Sequence, residues 1–280
     1  MKRAIERAIG RIWEDYHEPL SLDEIAKSAF LSRFHFSRVF REATWVSPGR
    51  YLSAVRIYQA KRLLATTELS VTDISLAVGY NSLGSFTNHF TDSVGLSPSR
   101  FRRMWSEGMR VAPAPASRPL PEAGTVTGSV TLPPEYATAR VYIGAFETPI
   151  IQRQPVSWTI VTAVPGTAVR YRLGGVAPGL RFIRAVATAD STDPEPWTRR
   201  SLLVSDVEPI SVADRSTDEA DIALRPRRMT DLPVLYAVPD LEPNAMSKMD
   251  GSVYAPHHLI RTHAARRVSY PANVHGQRTR

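Results

Sequence analysis

The chain writes one helical unit twice, and that repeat constrains its fold more than any other feature. A short amphipathic stretch, a break and a second stretch ending in an aromatic pair occupy residues 21–42, and the same order returns at 71–94. In the first copy Ser21 precedes Leu22-Asp23-Glu24, a capping box with Glu at the third helical position. Leu22, Ile25, Ala26 and Ala29 give that helix a narrow apolar face. Three or so residues later Ser32 opens SRFHFSRVFRE. Phe36, Val39 and Phe40 fall on one stripe of a 3.6-residue period, and Arg33, Ser37, Arg38 and Arg41 fall on the other side. The second copy places Val71, Ile74, Ala77 and Val78 inward, then stops at Gly79, as a left-handed cap would. NSLGSFTNHFTDSVG follows, with Phe86, Phe90 and Val94 on one stripe.

Three more helices surround the copies. Ile5, Ile9, Ile12, Trp13 and Tyr16 mark one before the first unit, and Arg50 to Ala65 joins the two units. A last one starts at Pro98 and carries Phe101, Met104 and Trp105. The expectation is an all-α domain of about seven helices over residues 1–108, built as two helix-turn-helix units. A short helix with an apolar back and an Arg-rich front packs on its own domain and offers guanidinium groups to a polyanion. Two such helices held about one turn of B-DNA apart, ~34 Å, can enter successive major grooves from a single chain. Charge agrees with this placement. The net charge is +8, and residues 1–110 hold 16 Lys+Arg against 11 Asp+Glu, while 111–240 hold 13 against 14 and 241–280 hold 6 against 2.

These residues closely resemble the DNA-binding domain of AraC/XylS-type transcription regulators over about residues 3 to 105. The stretches that carry the resemblance are LSLDEIAKSAFLSRFHFSRVFRE, SPGRYLSAVRIYQAKRLLATTELSVTDISLAVGYNSLGSFTNHF and VGLSPSRFRR. The resemblance implies base-facing positions at Phe34, Ser37 and Arg38 in the first unit and at Asn81, Ser82, Leu83, Ser85 and Asn88 in the second. Arg33 and Arg41 are then placed for phosphates. Arg38 can pair bidentately with guanine, and the Phe34 ring can pack on a thymine methyl or, alternatively, in the domain core. His35 reads as structural, and Arg56 as an internal ion-pair residue. Two features depart from the family pattern. Where basic residues are common, the second helix has Asn88, His89, Thr91 and Asp92, so the first helix is expected to carry most of the specificity. Where many relatives have Gly, the chain has Trp45, which implies a reshaped turn or a buried ring, because Trp suits positive φ poorly.

The texture changes after a Pro/Ala linker over 109–123. Short alternating runs such as GTVTGSVTL, ARVYIGAFE and LRFIRAVATA, bounded by Gly, Pro and Asp, predict an antiparallel β-sandwich of about seven strands over 124–226. It resembles, more weakly, a transthyretin-like or carboxypeptidase-regulatory-like sandwich. Arg140, Arg170, Arg172, Arg181 and Arg184 read as a solvated strand face, and Trp158 as core. Residues 227–280 are basic toward the end and poorly periodic, and read as a mostly disordered tail.

Several function classes are excluded or disfavoured. With no cysteine, thiolate metal sites, thiol nucleophiles and alkyl transfer to a cysteine acceptor are ruled out. Histidine is absent from 111–240, which argues against the hydrolase chemistry of some transthyretin-like domains. His257, His258 and His263 lack a carboxylate or thiol partner at ligand spacing, so neither metal nor cofactor is expected. No apolar run approaches the ~20 residues of a membrane helix, and the charged N-terminus does not read as a signal peptide, so a cytoplasmic protein is expected. The resulting expectation is a non-enzymatic, sequence-specific transcription regulator, with an activator role among its keywords. It would bind double-stranded DNA through helices 32–42 and 82–94, with RNA polymerase as a possible further partner. The β-sandwich would be an effector-binding, self-association or interaction module. The alternative is a non-catalytic β-domain adaptor tethered to DNA.

Overall fold

Seven helices, α1 (Lys2–Asp15), α2 (Leu22–Ser28), α3 (Arg33–Thr44), α4 (Pro48–Thr66), α5 (Val71–Ala77), α6 (Leu83–Val94) and α7 (Pro98–Ser106), precede nine strands in a computed structural model that describes residues 1–107, 121–190 and 200–238. The strands are β1 (Gly124–Thr131), β2 (Ala139–Phe146), β3 (Ser157–Ala163), β4 (Val169–Val176), β5 (Gly179–Asp190), β6 (Arg200–Ser205), β7 (Pro209–Val212), β8 (Thr217–Glu219) and β9 (Ile222–Pro226). All the described residues fall within one unit, Met1–Asp250.

The helical repeat is real and longer than its sequence signal. Ser21 closes the expected capping box: its hydroxyl accepts from Glu24 N at 3.2 Å, and Glu24 Oε2 accepts from Ser21 N at 2.7 Å. Ser70 caps α5 with its hydroxyl, which accepts from Asp73 N at 3.0 Å. The aromatic pairs match, with Phe36 and Phe40 ring centroids 5.3 Å apart and those of Phe86 and Phe90 5.7 Å apart. Phe40 then meets Tyr51 of α4 at 5.6 Å, as Phe90 meets Phe101 of α7 at 5.8 Å. Both units also end alike. α3 closes on Trp45 (φ 63°) and α6 on Gly95 (φ 85°), and Ser47-Pro48 and Ser97-Pro98 open the next helices, each Ser capping its own first turn. α4 is buried nearly all round, from Tyr51 and Leu52 to Tyr58 and Leu64, as a helix with neighbours on every side must be.

The β half differs from the expected two-sheet sandwich. Its strands form one nine-stranded sheet, ordered β3-β2-β5-β6-β9-β1-β4, with β7 beside β5 and β8 beside β1. The sheet curls into a nearly closed barrel. Its two ends meet where Ser157 Oγ donates to Gly174 O at 2.7 Å. Most pairs are antiparallel, but β1 runs parallel to β8 and β9. The alternation of GTVTGSVT is confirmed, since Val126 and Val130 point into the core while Thr125, Thr127, Ser129 and Thr131 are half-buried. Gly128 of that run is required by crowding, because a Cβ there would lie 2.1 Å from Ala220 O.

One outer face of the barrel is covered rather than solvated. β2 and β5 bury Val141, Ile143, Ala145, Ile183 and Ala185 inward, and also bury Tyr142, Phe146 and Val186 on their other side. The cover is the beginning of the expected tail. Residues 227–238 are packed, with Leu232, Leu235, Ala237 and Val238 at most 4% exposed. This strap lies against β2, β5 and β6, and Leu235 N donates to Ile151 O at 2.8 Å. The rest of that tail, residues 239–280 with His257, His258 and His263, lies outside the described residues, as does most of the Pro/Ala linker. Arg184, expected on a solvated face, is 2% exposed because it shares the covered side of β5 with Phe182 and Val186. Arg140, Arg170 and Arg172 are exposed and Arg181 is half-buried. Trp158 is half-buried and stacks on Tyr142 at 5.8 Å.

Candidate nucleic-acid interface

α3 is held by its back. Phe36 and Phe40 are fully buried and Val39 is nearly so, which leaves the opposite stripe open. Phe34 is 78% exposed, so its ring lies on the outer face and not in the core, with the Arg33 guanidinium 5.1 Å from its centroid. Arg33 also lies 3.9 Å from Asp23, a loose pair between exposed groups. Arg38 is exposed and touches two neighbours on its own helix, Glu42 Oε1 and His35 Nδ1, each at 3.4 Å. Contacts that long between solvated side chains cost little to exchange for a new partner. Arg41 is exposed and Ser37 half-buried. Ser32 is the N-cap of α3, yet its hydroxyl accepts no capping hydrogen bond. His35 is half-buried and belongs to the Arg38 contact, so it bears on the outer face more than a purely structural residue would.

In the second unit Asn81, Ser82, Leu83, Ser85 and Asn88 are all exposed around the start of α6. Ser82 is engaged as the N-cap, accepting from Ser85 N at 3.2 Å and donating to Ser85 Oγ at 2.9 Å. α6 holds no Lys or Arg. The two outer faces are therefore unequal: the first presents guanidinium groups and one aromatic ring, the second amides and hydroxyls.

Behind these faces the units are fixed by specific bonds. Arg56 corrects the ion-pair expectation. Its Nε donates to Tyr16 O at 2.7 Å and its Nη2 to Glu18 O at 2.8 Å, so it ties the α1–α2 loop to α4 through backbone carbonyls. Burial lowers its pKa from the ordinary arginine value. Trp45 corrects another expectation. The turn keeps the left-handed geometry a Gly would have, and the ring is 47% exposed, meeting Phe182 of β5 at 6.2 Å. Nothing in the sequence near Trp45 signals that contact.

The β half touches α1, α4 and the C-terminal part of α6. Arg227 lies 5.3 Å over both the Trp13 and Tyr58 rings, and Tyr51 donates to Asp231 O at 3.4 Å. Arg153 donates from Nε at 3.0 Å and from Nη2 to Asp92 of α6. Between α1, the end of α3 and the β half lies a cleft of about 630 Å³, bordered by Ile5, Glu42, Trp45, Asp206, Arg228 and Asp231.

Comparison with known proteins agrees with this geometry. Residues 25–104 match a family model described as a helix-turn-helix domain. The chain is similar to the lactose operon transcription activator of Staphylococcus xylosus, 32% identical over 102 residues that span 36% of this chain and 37% of that protein. It is 40% identical over 83 residues to the HTH-type transcriptional activator AarP of Providencia stuartii, across 30% of this chain and 62% of that one. Among solved structures, the DNA-binding domain of AdpA in complex with a target DNA is 30% identical, covering 38% of this chain and 95% of that chain with a TM-score of 0.36. The chain spans between 28% and 62% of the length of the curated relatives it matches. These relatives are named for transcription or DNA binding. Residues 25–104 thus match a helix-turn-helix domain and are similar to the corresponding part of these transcription regulators.

Proposed function

We propose that the chain is a sequence-specific DNA-binding transcription regulator that lays α3 and α6 into two successive major-groove segments. The observation that carries this reading is the outer face of α3. Phe34, Arg38 and Arg41 stand in solvent on a helix whose opposite stripe is locked into the core. Phe34, Ser37 and Arg38 then read bases from the first unit, and Asn81, Ser82, Leu83, Ser85 and Asn88 from the second. Arg33 and Arg41 hold phosphates. In this reading α6 contributes less, because phosphate attraction needs cations and α6 has none. Activation through RNA polymerase in the cytoplasm completes the proposal; the names of the two activators above support its activator part alone. The cleft of about 630 Å³ beside Trp45 supports an effector role for the β half, being of a size that small-molecule sites have.

Salt dependence tests the electrostatic part. Each phosphate neutralised releases counterions, so the logarithm of the binding constant should fall steeply with the logarithm of salt concentration. Replacing Arg41 with Ala should weaken binding to all sequences alike and reduce that slope by about 1. A flat salt response in the unaltered chain would remove this interface from consideration.

A further inference from the structure

The two reading helices end at equivalent positions of the repeat, and both ends are occupied by the β half. α3 closes on Trp45 and α6 on Gly95, each left-handed, with its N–H returned to the carbonyl four residues back (Arg41 O, 2.8 Å; Thr91 O, 2.9 Å). At the first end the Trp45 ring meets Phe182. At the second, a Cβ on Gly95 would lie 2.9 Å from Cε2 of Tyr236 in the strap, so the absent side chain is where that ring packs. Ala237 N donates to Val94 O at 3.0 Å, and Arg153 N donates to Ser93 O at 2.9 Å. The acidic residues of the repeat diverge as well. Glu42 pairs with Arg38 on its own helix, whereas its equivalent, Asp92, pairs with Arg153 from the loop between β2 and β3.

The divergence has a direction. A bulky side chain at positive φ is strained, and a Gly would remove that strain at no steric cost. The second unit has the Gly and the first has the Trp, so the two units are built differently at the one place where a partner surface stands behind each. The strap also grips α4 between them, through Arg227 on Tyr58 and Asp231 O on Tyr51. The β half therefore contacts the far end of each reading helix and the helix that joins them, and leaves Phe34, Arg38 and Asn88 uncovered.

We infer that the β half is a brace which fixes the relative orientation of α3 and α6, and that Trp45 and Arg153 are positioning residues for discrimination between spacings of the two DNA segments. This inference rests on the reading that both helices enter DNA. Without a brace, a shift of one unit relative to the other would let the chain follow a displaced second segment. With it, a displacement of one base pair rotates the second segment by about a tenth of a turn and moves it along the axis by roughly 3.4 Å, which a fixed pair of helices cannot follow.

The test uses the full chain and a site selected from random duplexes. Its second segment is either in place, displaced by one base pair either way, or replaced by unrelated sequence. The unaltered chain should prefer the correct spacing by about tenfold, a typical cost for one mismatched feature of a site. The double variant Trp45→Gly, Arg153→Asp should bind the first segment alone as the unaltered chain does, while its preference among spacings falls to about threefold or less. Arg153→Lys keeps the charge opposite Asp92 and should keep the preference. An unaltered chain that discriminates spacing, together with a double variant that discriminates equally well, would overturn the brace and leave two-helix reading intact. If the variant lost first-segment binding as much as whole-site binding, the residues would serve the fold of one unit, and the brace would again be overturned. An unaltered chain indifferent to the second segment would instead overturn the reading by α6 on which the inference rests.

Discussion

Replacing Arg38 with Ala is expected to lower affinity for the selected site by about 10- to 100-fold, the range in which a single bidentate base contact discriminates. Binding to unrelated duplexes should survive, because Arg33 and Arg41 stay on the same helix. The fold should survive as well, since Arg38 is exposed and its contacts to Glu42 and His35 are long. Competition binding with selected and random duplexes measures both affinities at once. Equal losses on the two duplexes would reassign Arg38 to phosphate contact. No loss on either would take it out of the interface.

The second large effect is expected at Asp231, in the β half. Its carboxylate receives Arg225 through Nη1 and Nη2, both at 2.7 Å, and the Arg228 backbone N–H at 2.6 Å. Arg225 also reaches Asp206, with Nε at 2.8 Å. Burial alone would push Asp231 up. The hydrogen bonds from Arg225 and Arg228 and the guanidinium charge outweigh it, and hold the carboxyl below its usual range. Arg184 lies close by with Nε and Nη1 unpartnered among the described residues. Burial draws its pKa down to about 10, and Asp231 is the foremost charge working against that. Removing one partner of a mostly buried pair strands the other, so Asp231→Asn should destabilise the chain by about 3 kcal/mol in urea unfolding. The pH dependence has a definite sign. A carboxyl whose folded pKa is depressed adds stability above its unfolded pKa, and that stability is lost as pH falls through the folded value. The unaltered chain should therefore lose this contribution on acidification, and the Asn variant should lack it throughout. Equal stability of both proteins at neutral pH would show that the network does not hold the strap.

Local signals made the helical half legible and long-range ones hid much of the rest. Ser21 with Glu24, the Phe36-Val39-Phe40 stripe and the caps at Gly79 and Gly95 act within a few residues, so the sequence displays them directly. The sequence leaves Phe34 open between the outer face and the core, and its exposure on α3 decides for the outer face. Trp45 departs from expectation because its left-handed turn is retained alongside a contact with Phe182, which lies far along the chain and carries no local mark. The burial of Arg184 is hidden because alternation assigns residues to a face but does not say what covers that face. The packing of the strap carries no sequence sign, because Leu232 to Val238 has neither helical nor strand period, while Val234, Tyr236 and Val238 pack against β2, β5 and β6. Strand count and closure were equally hidden, since alternation says nothing about which strands become neighbours. The outer faces of α3 and α6 show which residues stand in solvent, and their assignment to bases or phosphates comes from the family resemblance.

The claim that one chain reads two successive major-groove segments is tested most directly by selecting binding sites for the full chain from a random-sequence duplex library. The enriched site should hold two conserved blocks with centres about one helical turn, 10–10.5 base pairs, apart, and the block under α3 should be the more strictly conserved. Enrichment of a single short block, or of no sequence at all at any salt concentration, would contradict it.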